Sequence, residues 1–142
     1  FPVSASRQHS LSNVRMTPEQ MVEEVRKCVQ MRNAIPAGQH RPEIEAGVST
    51  AFGCTMQGEV PEDDVVKIAV MLAEAGADCV ALADTVGYAD PRQVGELFER
   101  ARELAGDKLA CGHFHDTRGL GIANVMAALH AGETRFPDVP RF

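Results

Sequence analysis

Aromatic residues are scarce in this chain: its 142 residues include six Phe, one Tyr and no Trp. Small aliphatic side chains must therefore fill most of the interior. No apolar run approaches the roughly 20 residues that a membrane-spanning helix needs. The sequence also shows no positively charged stretch followed by an apolar one, which is the pattern of a secretory signal. The sequence predicts a protein without a membrane partner.

Basic charge and closely spaced cysteines are also missing. The formal net charge of −6 argues against nucleic acid as a partner, because phosphate binding requires a basic face. The four cysteines, Cys28, Cys54, Cys79 and Cys111, are widely separated and form no Cys-x-x-Cys pair. We interpret them as reduced thiols and expect a cytoplasmic location.

Neither a GxGxxG fingerprint nor a P-loop occurs. Their absence argues against a nucleotide-binding protein with an open sheet. The sequence instead alternates apolar runs with amphipathic stretches in units of about 30 residues, the size of a βα repeat. Strands are predicted at 1–5, 45–52, 79–84 and 109–115, with a fifth starting at 134–136. Helices are predicted to follow Thr17, Pro61, Asp90 and Leu120, and 6–16 is predicted to be a polar loop.

Helix boundaries have clear signals. Thr17, Pro18 and Gln20 form the pattern of a capping box with proline at the first helical position, and Gly76 is placed to end the second helix. Repeated βα units with right-handed crossovers predict a single α/β domain over 1–142 with a parallel sheet. Two architectures fit: part of a TIM barrel, or a small open doubly wound sheet.

Two histidines separated by one residue lie at the end of the fourth predicted strand. Side chains alternate faces along a strand, so His113 and His115 point the same way and Phe114 points the other way. Two neutral imidazoles on one face can hold a divalent cation. The alternative is an ordinary strand end with one hydrogen-bonded histidine and one solvated histidine.

The third predicted strand ends in a carboxylate, Asp84, which would lie at the same edge of the sheet. Beside a cation it can act as a base or orient a reactant; alternatively it forms a turn that ends at Gly87. Arg118 either binds an anionic substrate group or pairs with Asp116 or Asp84. His9 either contacts substrate or is an ordinary polar loop residue.

The motifs resemble those of the hydroxymethylglutaryl-CoA lyase family, metal-dependent TIM-barrel enzymes related to isopropylmalate and homocitrate synthases. They occur in order along nearly the whole chain: VSASRQHSLSN at 3–13, VSTAFGC at 48–54, GEVP at 58–61, LADTVG at 82–87 and HFHDT at 113–117. The synthases usually have Asn-Asp after the second histidine. Asp116-Thr117 at that place therefore favours the lyase.

The resemblance implies a retro-Claisen cleavage of a 3-hydroxy-3-methylglutaryl-CoA-like thioester to acetyl-CoA and acetoacetate. It implies that His113 and His115 are metal ligands, that Asp84 and His113 are catalytic, and that Thr85, Asn13 and Arg118 contact substrate. The implied cofactor is Mg²⁺ or Mn²⁺, with Zn²⁺ as an alternative. The methionines at helical spacing and Cys111 are interpreted as packing residues.

By the same resemblance the chain corresponds to strands four to seven of an eight-unit barrel. The family's first-strand Asp ligand would precede residue 1, and its Asn ligand and Cys-bearing glycine-rich loop would follow residue 142. Residues 137–142 depart from the family pattern and are predicted to form an atypical tail. We therefore expect a homo-oligomer or a missing remainder of the barrel. The alternatives are a condensing synthase, a 2-oxo-acid aldolase or carboxyltransferase domain, and a non-catalytic half-barrel.

Overall fold

The computed structural model describes residues 1–132 and consists of four parallel strands with helices between them. The elements are β1 (Pro2–Ser4), α1 (Arg7–Val14), α2 (Pro18–Asn33), β2 (Glu45–Ser49), α3 (Glu62–Ala75), β3 (Cys79–Asp84), α4 (Pro91–Ala105), a short 3₁₀ turn (Gly106–Lys108), β4 (Leu109–Phe114) and α5 (Gly121–His130). The strands are hydrogen-bonded in the order β1-β2-β3-β4. The predicted strand at 134–136 and the predicted tail at 137–142 lie outside the described residues.

Sequence signals explain most helix boundaries. The capping box at Thr17 is present, with Gln20 as its second member, and Asp90 accepts a hydrogen bond from the backbone of Gln93 at the start of α4. Gly76 ends α3 with a φ of 97°, a left-handed conformation that glycine adopts at little cost.

Residues Arg7–Val14 form helix α1, so the prediction of a polar loop over 6–16 was wrong for most of that segment. The Ser6 side chain accepts a hydrogen bond from His9 N–H at 3.2 Å, which caps α1. Arg15 ends the helix in the left-handed region with a φ of 59°. Ser10 is the one buried residue of α1, so the segment has no apolar stripe from which a helix could be predicted.

The main core lies between the sheet and the helices. Alternate strand residues such as Val3, Val48 and Leu82 are fully buried in it, and three rings, Phe52, Phe98 and Phe114, pack with centroids 6.0–6.3 Å apart. The opposite face of the sheet carries a small separate cluster of Cys79, Ala81 and Cys111. Side chains on that face are placed opposite to the helices.

The sheet is open within residues 1–132, with β1 and β4 as its two edges. Helix α5 leaves Ile122, Met126 and Leu129 exposed, Ile122 by 82%. The four parallel βα units with two open edges correspond to part of a TIM barrel, as predicted, and do not close into a complete barrel. None of the helices described here is long and apolar enough to cross a membrane, and no disulfide joins any of the four cysteines.

Candidate metal and substrate site

The two histidines meet at the end of β4. His113 lies in the strand and His115 follows it directly, and their Nε2 atoms are 3.1 Å apart. The rings are nearly perpendicular, with an interplanar angle of 68°. Both side chains are half-buried. The sequence prediction that these imidazoles share one face of the strand end is confirmed.

The separation of the two nitrogens fits a shared cation. Metal–nitrogen bonds of about 2.1 Å at tetrahedral or octahedral angles place neighbouring ligand atoms about 3.0–3.4 Å apart. The observed 3.1 Å lies in this interval, although one ring can also donate an N–H to the other at this distance. The donor set therefore fits a divalent ion.

Burial favours the form of His113 that binds metals. Burial first, and the neighbouring His115 second, lower the pKa of His113 below 6.5, while Asp84 and Glu45 act in the opposite direction. A lowered pKa keeps the imidazole neutral at physiological pH. Neutral imidazole is the species that coordinates a metal or accepts a proton.

Asp84 is the last residue of β3, as predicted. Its carboxylate forms hydrogen bonds within the turn that follows the strand. Its partner in the register of the sheet is Phe114, whereas His113 is paired with Ala83, so Asp84 continues the helix-facing side of the strand. Its two carboxylate oxygens accept hydrogen bonds from the backbone N–H groups of Tyr88 at 2.9 Å and Ala89 at 3.2 Å. The turn-forming alternative describes these contacts.

The carboxyl group of Asp84 is buried, with 1% of the residue exposed. Burial raises its pKa above 3.8, and the hydrogen bonds from Tyr88 and Ala89 oppose that rise. Structural and catalytic roles are both compatible with this environment, and the catalytic role stays a prediction.

Thr50 connects three strand ends and was only partly anticipated by sequence reasoning. Its hydroxyl accepts a hydrogen bond from Ser6 N–H at 3.0 Å and shares one of 2.9 Å with the hydroxyl of Ser4. Its backbone N–H donates to Oγ1 of Thr85 at 2.7 Å. Its φ of 58° is unusual for a β-branched residue, and the surrounding hydrogen bonds hold it there.

Asn13 and Thr85, two of the predicted substrate contacts, line one cavity of about 240 Å³. His9, Ser4 and Ser49 line the same cavity. The Nδ1 atom of His9 is buried and has no hydrogen-bond partner among residues 1–132. A polar ligand group in this cavity would satisfy it.

Arg118 follows the histidine pair and contacts the neighbouring loop. Its guanidinium donates to the carbonyl oxygens of Tyr88 at 3.0 Å and Ala89 at 3.3 Å. In the part of the chain that the structure describes it forms no ion pair with Asp84 or Asp116, so the pairing alternative is not found there and the substrate contact stays a prediction. Asp116 instead accepts a hydrogen bond of 2.7 Å from Gly121 N–H at the start of α5.

Gly87 brings the loops after β3 and β4 together. Its φ of 73° is positive, and a Cβ added there would collide with the side chain of Thr117. The glycine allows the loop with Thr85 to pack directly on the loop that follows His115. Sequence reasoning used Gly87 as a turn signal and missed this contact.

Known proteins share this arrangement of sequence and fold. The HMGL-like family model matches residues 1–137. The hydroxymethylglutaryl-CoA lyase YngG of Bacillus subtilis is 32% identical over 138 residues, which cover 94% of this chain and 43% of that protein. A 2-isopropylmalate synthase of Citrobacter koseri is 30% identical over 135 residues, which cover 92% of this chain and 23% of that protein.

A solved structure of similar fold is the HMG-CoA lyase of Acinetobacter baumannii in complex with coenzyme A and 3-methylmalate. Its TM-score is 0.81 at 34% sequence identity, and the match covers 95% of this chain and 42% of that one. The chain therefore spans less than half the length of these relatives. Since the family model matches almost all of it, the chain belongs to the HMGL-like family.

Proposed function

We propose that this chain carries the cation-binding edge of a divalent-metal-dependent carbon–carbon lyase. The proposed substrate is 3-hydroxy-3-methylglutaryl-CoA or a similar 3-hydroxyacyl-CoA thioester. The observation that carries the proposal is the 3.1 Å separation of the His113 and His115 Nε2 atoms at the loop end of a parallel sheet, where α/β barrels place their chemistry. Membership of the HMGL-like family supports the reaction class.

The proposed reaction is a retro-Claisen cleavage. A base removes the proton of the 3-hydroxyl group, the oxygen forms a carbonyl with C3, and the bond between C2 and C3 breaks. Its electron pair passes to the enolate of acetyl-CoA, which takes up a proton at C2. The products are acetoacetate and acetyl-CoA, and a bound cation supplies Lewis acidity to the hydroxyl and carbonyl oxygens.

Within this chain, His113 and His115 would hold the cation. Mg²⁺ or Mn²⁺ is proposed because oxygen ligands from outside this segment would complete the site, and Zn²⁺ is the alternative. His113 is also proposed as a proton carrier, since its lowered pKa leaves a neutral nitrogen that can accept a proton.

The substrate contacts are proposed for the cavity of about 240 Å³. Asn13, Thr85 and His9 line it, and the unpaired Nδ1 of His9 provides a place for a polar group of the acyl chain. Arg118 is exposed and is proposed to contact the substrate from the rim, with its carbonyl contacts to Tyr88 and Ala89 fixing its position.

Asp84 is proposed to act catalytically and to order the turn over 84–89. The substitution Asp84→Asn separates these roles. The amide side chain keeps one acceptor oxygen but presents an N–H₂ group to the second backbone donor, so the free energy of unfolding should fall by about 1–3 kcal/mol. A purely structural role predicts that turnover per folded molecule is unchanged in Asp84→Asn, whereas a catalytic role predicts its loss.

Three alternative functions are considered. A condensing synthase is supported by the similarity to 2-isopropylmalate synthase, and a carboxyltransferase or 2-oxo-acid aldolase would use the same edge of the sheet. A non-catalytic half-barrel is the third candidate, since β1 and β4 are open edges that favour association with another copy or with further βα units.

A cytoplasmic location is proposed as well, because the four cysteines are reduced thiols and such thiols persist in a reducing compartment.

Assays of the complete gene product with both cleavage and condensation substrates separate these functions. We expect divalent-metal-dependent cleavage that is lost in His115→Ala, with no condensation of 2-oxo acids with acetyl-CoA. Condensation without cleavage would support the synthase function in place of the lyase function. A product without bound metal or activity, unchanged by His113→Ala, would support the non-catalytic half-barrel.

A further inference from the structure

The face of the sheet opposite to the described helices holds a second group of metal-ligating atoms, nearer the strand starts than the histidine pair. Glu45 begins β2 and is paired in register with Cys79, the first residue of β3, and Cys111 of β4 is paired with Ala81. A carboxylate oxygen of Glu45 and the two sulfur atoms all lie within 4.8 Å of one another. Three neighbouring strands thus contribute one donor each.

This group is separate from the histidine pair. Cys111 precedes His113 by two residues on the same strand face, which is a displacement of about 7 Å along a strand. Glu45 and Cys79 are the first residues of their strands, whereas His113 and His115 lie at the opposite end of β4. The two groups therefore use different ligand atoms, while the charge of Glu45 still acts on His113.

We propose that Glu45, Cys79 and Cys111 form a second cation site that takes a thiophilic divalent ion of the Zn²⁺ or Cd²⁺ class. Two thiolates with one carboxylate are a donor set that such ions prefer over Mg²⁺ or Ca²⁺. Around a tetrahedral Zn²⁺, with Zn–S bonds of about 2.3 Å, two sulfur atoms stand about 3.7 Å apart. The present separations of at most 4.8 Å exceed this value by no more than about 1 Å.

The surroundings of the donors suit an ion of this kind. Cys79 and Cys111 are each 1% exposed, so the sulfur atoms are shielded from solvent. Glu45 is exposed at the start of β2. Ala81 and Ala110 surround the thiols, and Gly47, in register with Ala81, has no side chain on this face. No bulky group among these neighbours obstructs the approach of the three donors.

Binding of one ion would release two protons. Each thiol releases its proton and the resulting thiolate sulfur forms a bond to the ion, while the carboxylate of Glu45 supplies an oxygen without releasing a proton. No redox change takes place. The ion would join β2, β3 and β4 on the face opposite to the described helices and would stabilise the sheet that positions His113.

Cobalt(II) is the probe that distinguishes this site from the histidine pair. Titration of the reduced 142-residue chain with Co²⁺ should give one equivalent with a near-ultraviolet thiolate-to-cobalt charge-transfer band, which imidazole and oxygen ligands do not produce. Zn²⁺ should displace the cobalt and abolish the band. The band should be lost in Cys79→Ser and Cys111→Ser and should require more cobalt in Glu45→Gln.

Two matched controls keep the test specific. Cys28→Ser removes a half-buried thiol of α2 that lies outside the group, and His113→Ala removes the proposed catalytic ligand; both should retain the band. Wild-type protein without the band would overturn the proposal whatever the folding of the variants. A band that persists in Cys111→Ser, or that disappears in His113→Ala, would also overturn it. A complete wild-type gene product that gives the band but does not cleave a 3-hydroxyacyl-CoA would contradict the proposed function alone.

Discussion

Thr85 Oγ1 accepts a hydrogen bond of 2.7 Å from the backbone N–H of Thr50 and thereby joins the ends of β2 and β3. Thr50 has a positive φ of 58° and lies just after the last residue of β2. The side chain of Thr85 replaces the missing strand partner. This hydrogen bond acts beside the backbone bond from Ala51 N–H to the carbonyl oxygen of Ala83 at 3.1 Å, which joins the same two strand ends.

Replacement of Thr85 by Val should reveal the contribution of the Thr85 hydroxyl. The variant keeps the shape of the side chain but leaves the half-buried N–H of Thr50 without its acceptor. We expect the free energy of unfolding to fall by about 1–3 kcal/mol, as measured by urea denaturation. Thr85→Ser retains the hydroxyl and should lose much less; equal losses in the two variants would contradict the role of the hydrogen bond.

The contact between Gly87 and Thr117 gives a second prediction. Ala at position 87 must adopt a positive φ and also displace Thr117. Gly119 is the matched control, because its φ of 74° is almost the same as the 73° of Gly87, but no atom lies within 4 Å of the place that a Cβ would take there. Gly87→Ala should be less stable than Gly119→Ala by about 1 kcal/mol or more, measured by thermal or urea unfolding.

Equal destabilisation of the two glycine variants would mean that only the backbone conformation matters at Gly87. The contact with Thr117 would then contribute nothing to the packing of the two loops.

Asp78 gives a prediction about acid stability. The hydrogen bond from Ile44 N–H first, and the one from Arg32 second, lower the pKa of Asp78 below 3.8. A carboxyl group whose pKa is lowered on folding stabilises the protein above its unfolded pKa, and this contribution is lost as the pH falls through the folded pKa. Wild-type stability should therefore decline below about pH 4 more steeply than that of Asp78→Asn.

The measurement is the free energy of unfolding as a function of pH, with Asp107→Asn as the control because Asp107 is exposed. Asp107→Asn should retain the wild-type slope below about pH 4. The same slope in Asp78→Asn would show that the contacts with Ile44 and Arg32 do not favour the ionised carboxylate.

Sequence patterns predicted the elements whose signals are local. The Thr17 capping box, the apolar run of β3 and the glycine at the end of α3 each depend on neighbouring residues, and the structure contains all three. The alternation of His113, Phe114 and His115 likewise follows from the period of a strand. These features needed no knowledge of distant contacts.

The remaining features depend on contacts between distant residues. Helix α1 has no apolar stripe, and Thr50 takes its unusual conformation through bonds to Ser4, Ser6 and Thr85. β2 consequently ends at Ser49 rather than at position 52. The side of the sheet on which Asp84 lies was not predictable, because β3 is apolar on both faces and its pattern does not show which face meets the helices.

The central claim, that His113 and His115 share one divalent ion, is tested most directly by NMR of the imidazole nitrogens during a Zn²⁺ titration. The experiment uses a chain with Cys79→Ser and Cys111→Ser, so that the thiols do not compete. The Nε2 resonances of both histidines should shift together along one binding curve, and His115→Ala should weaken the binding observed at His113. Independent curves for the two rings, or a shift at only one of them, would contradict the shared site.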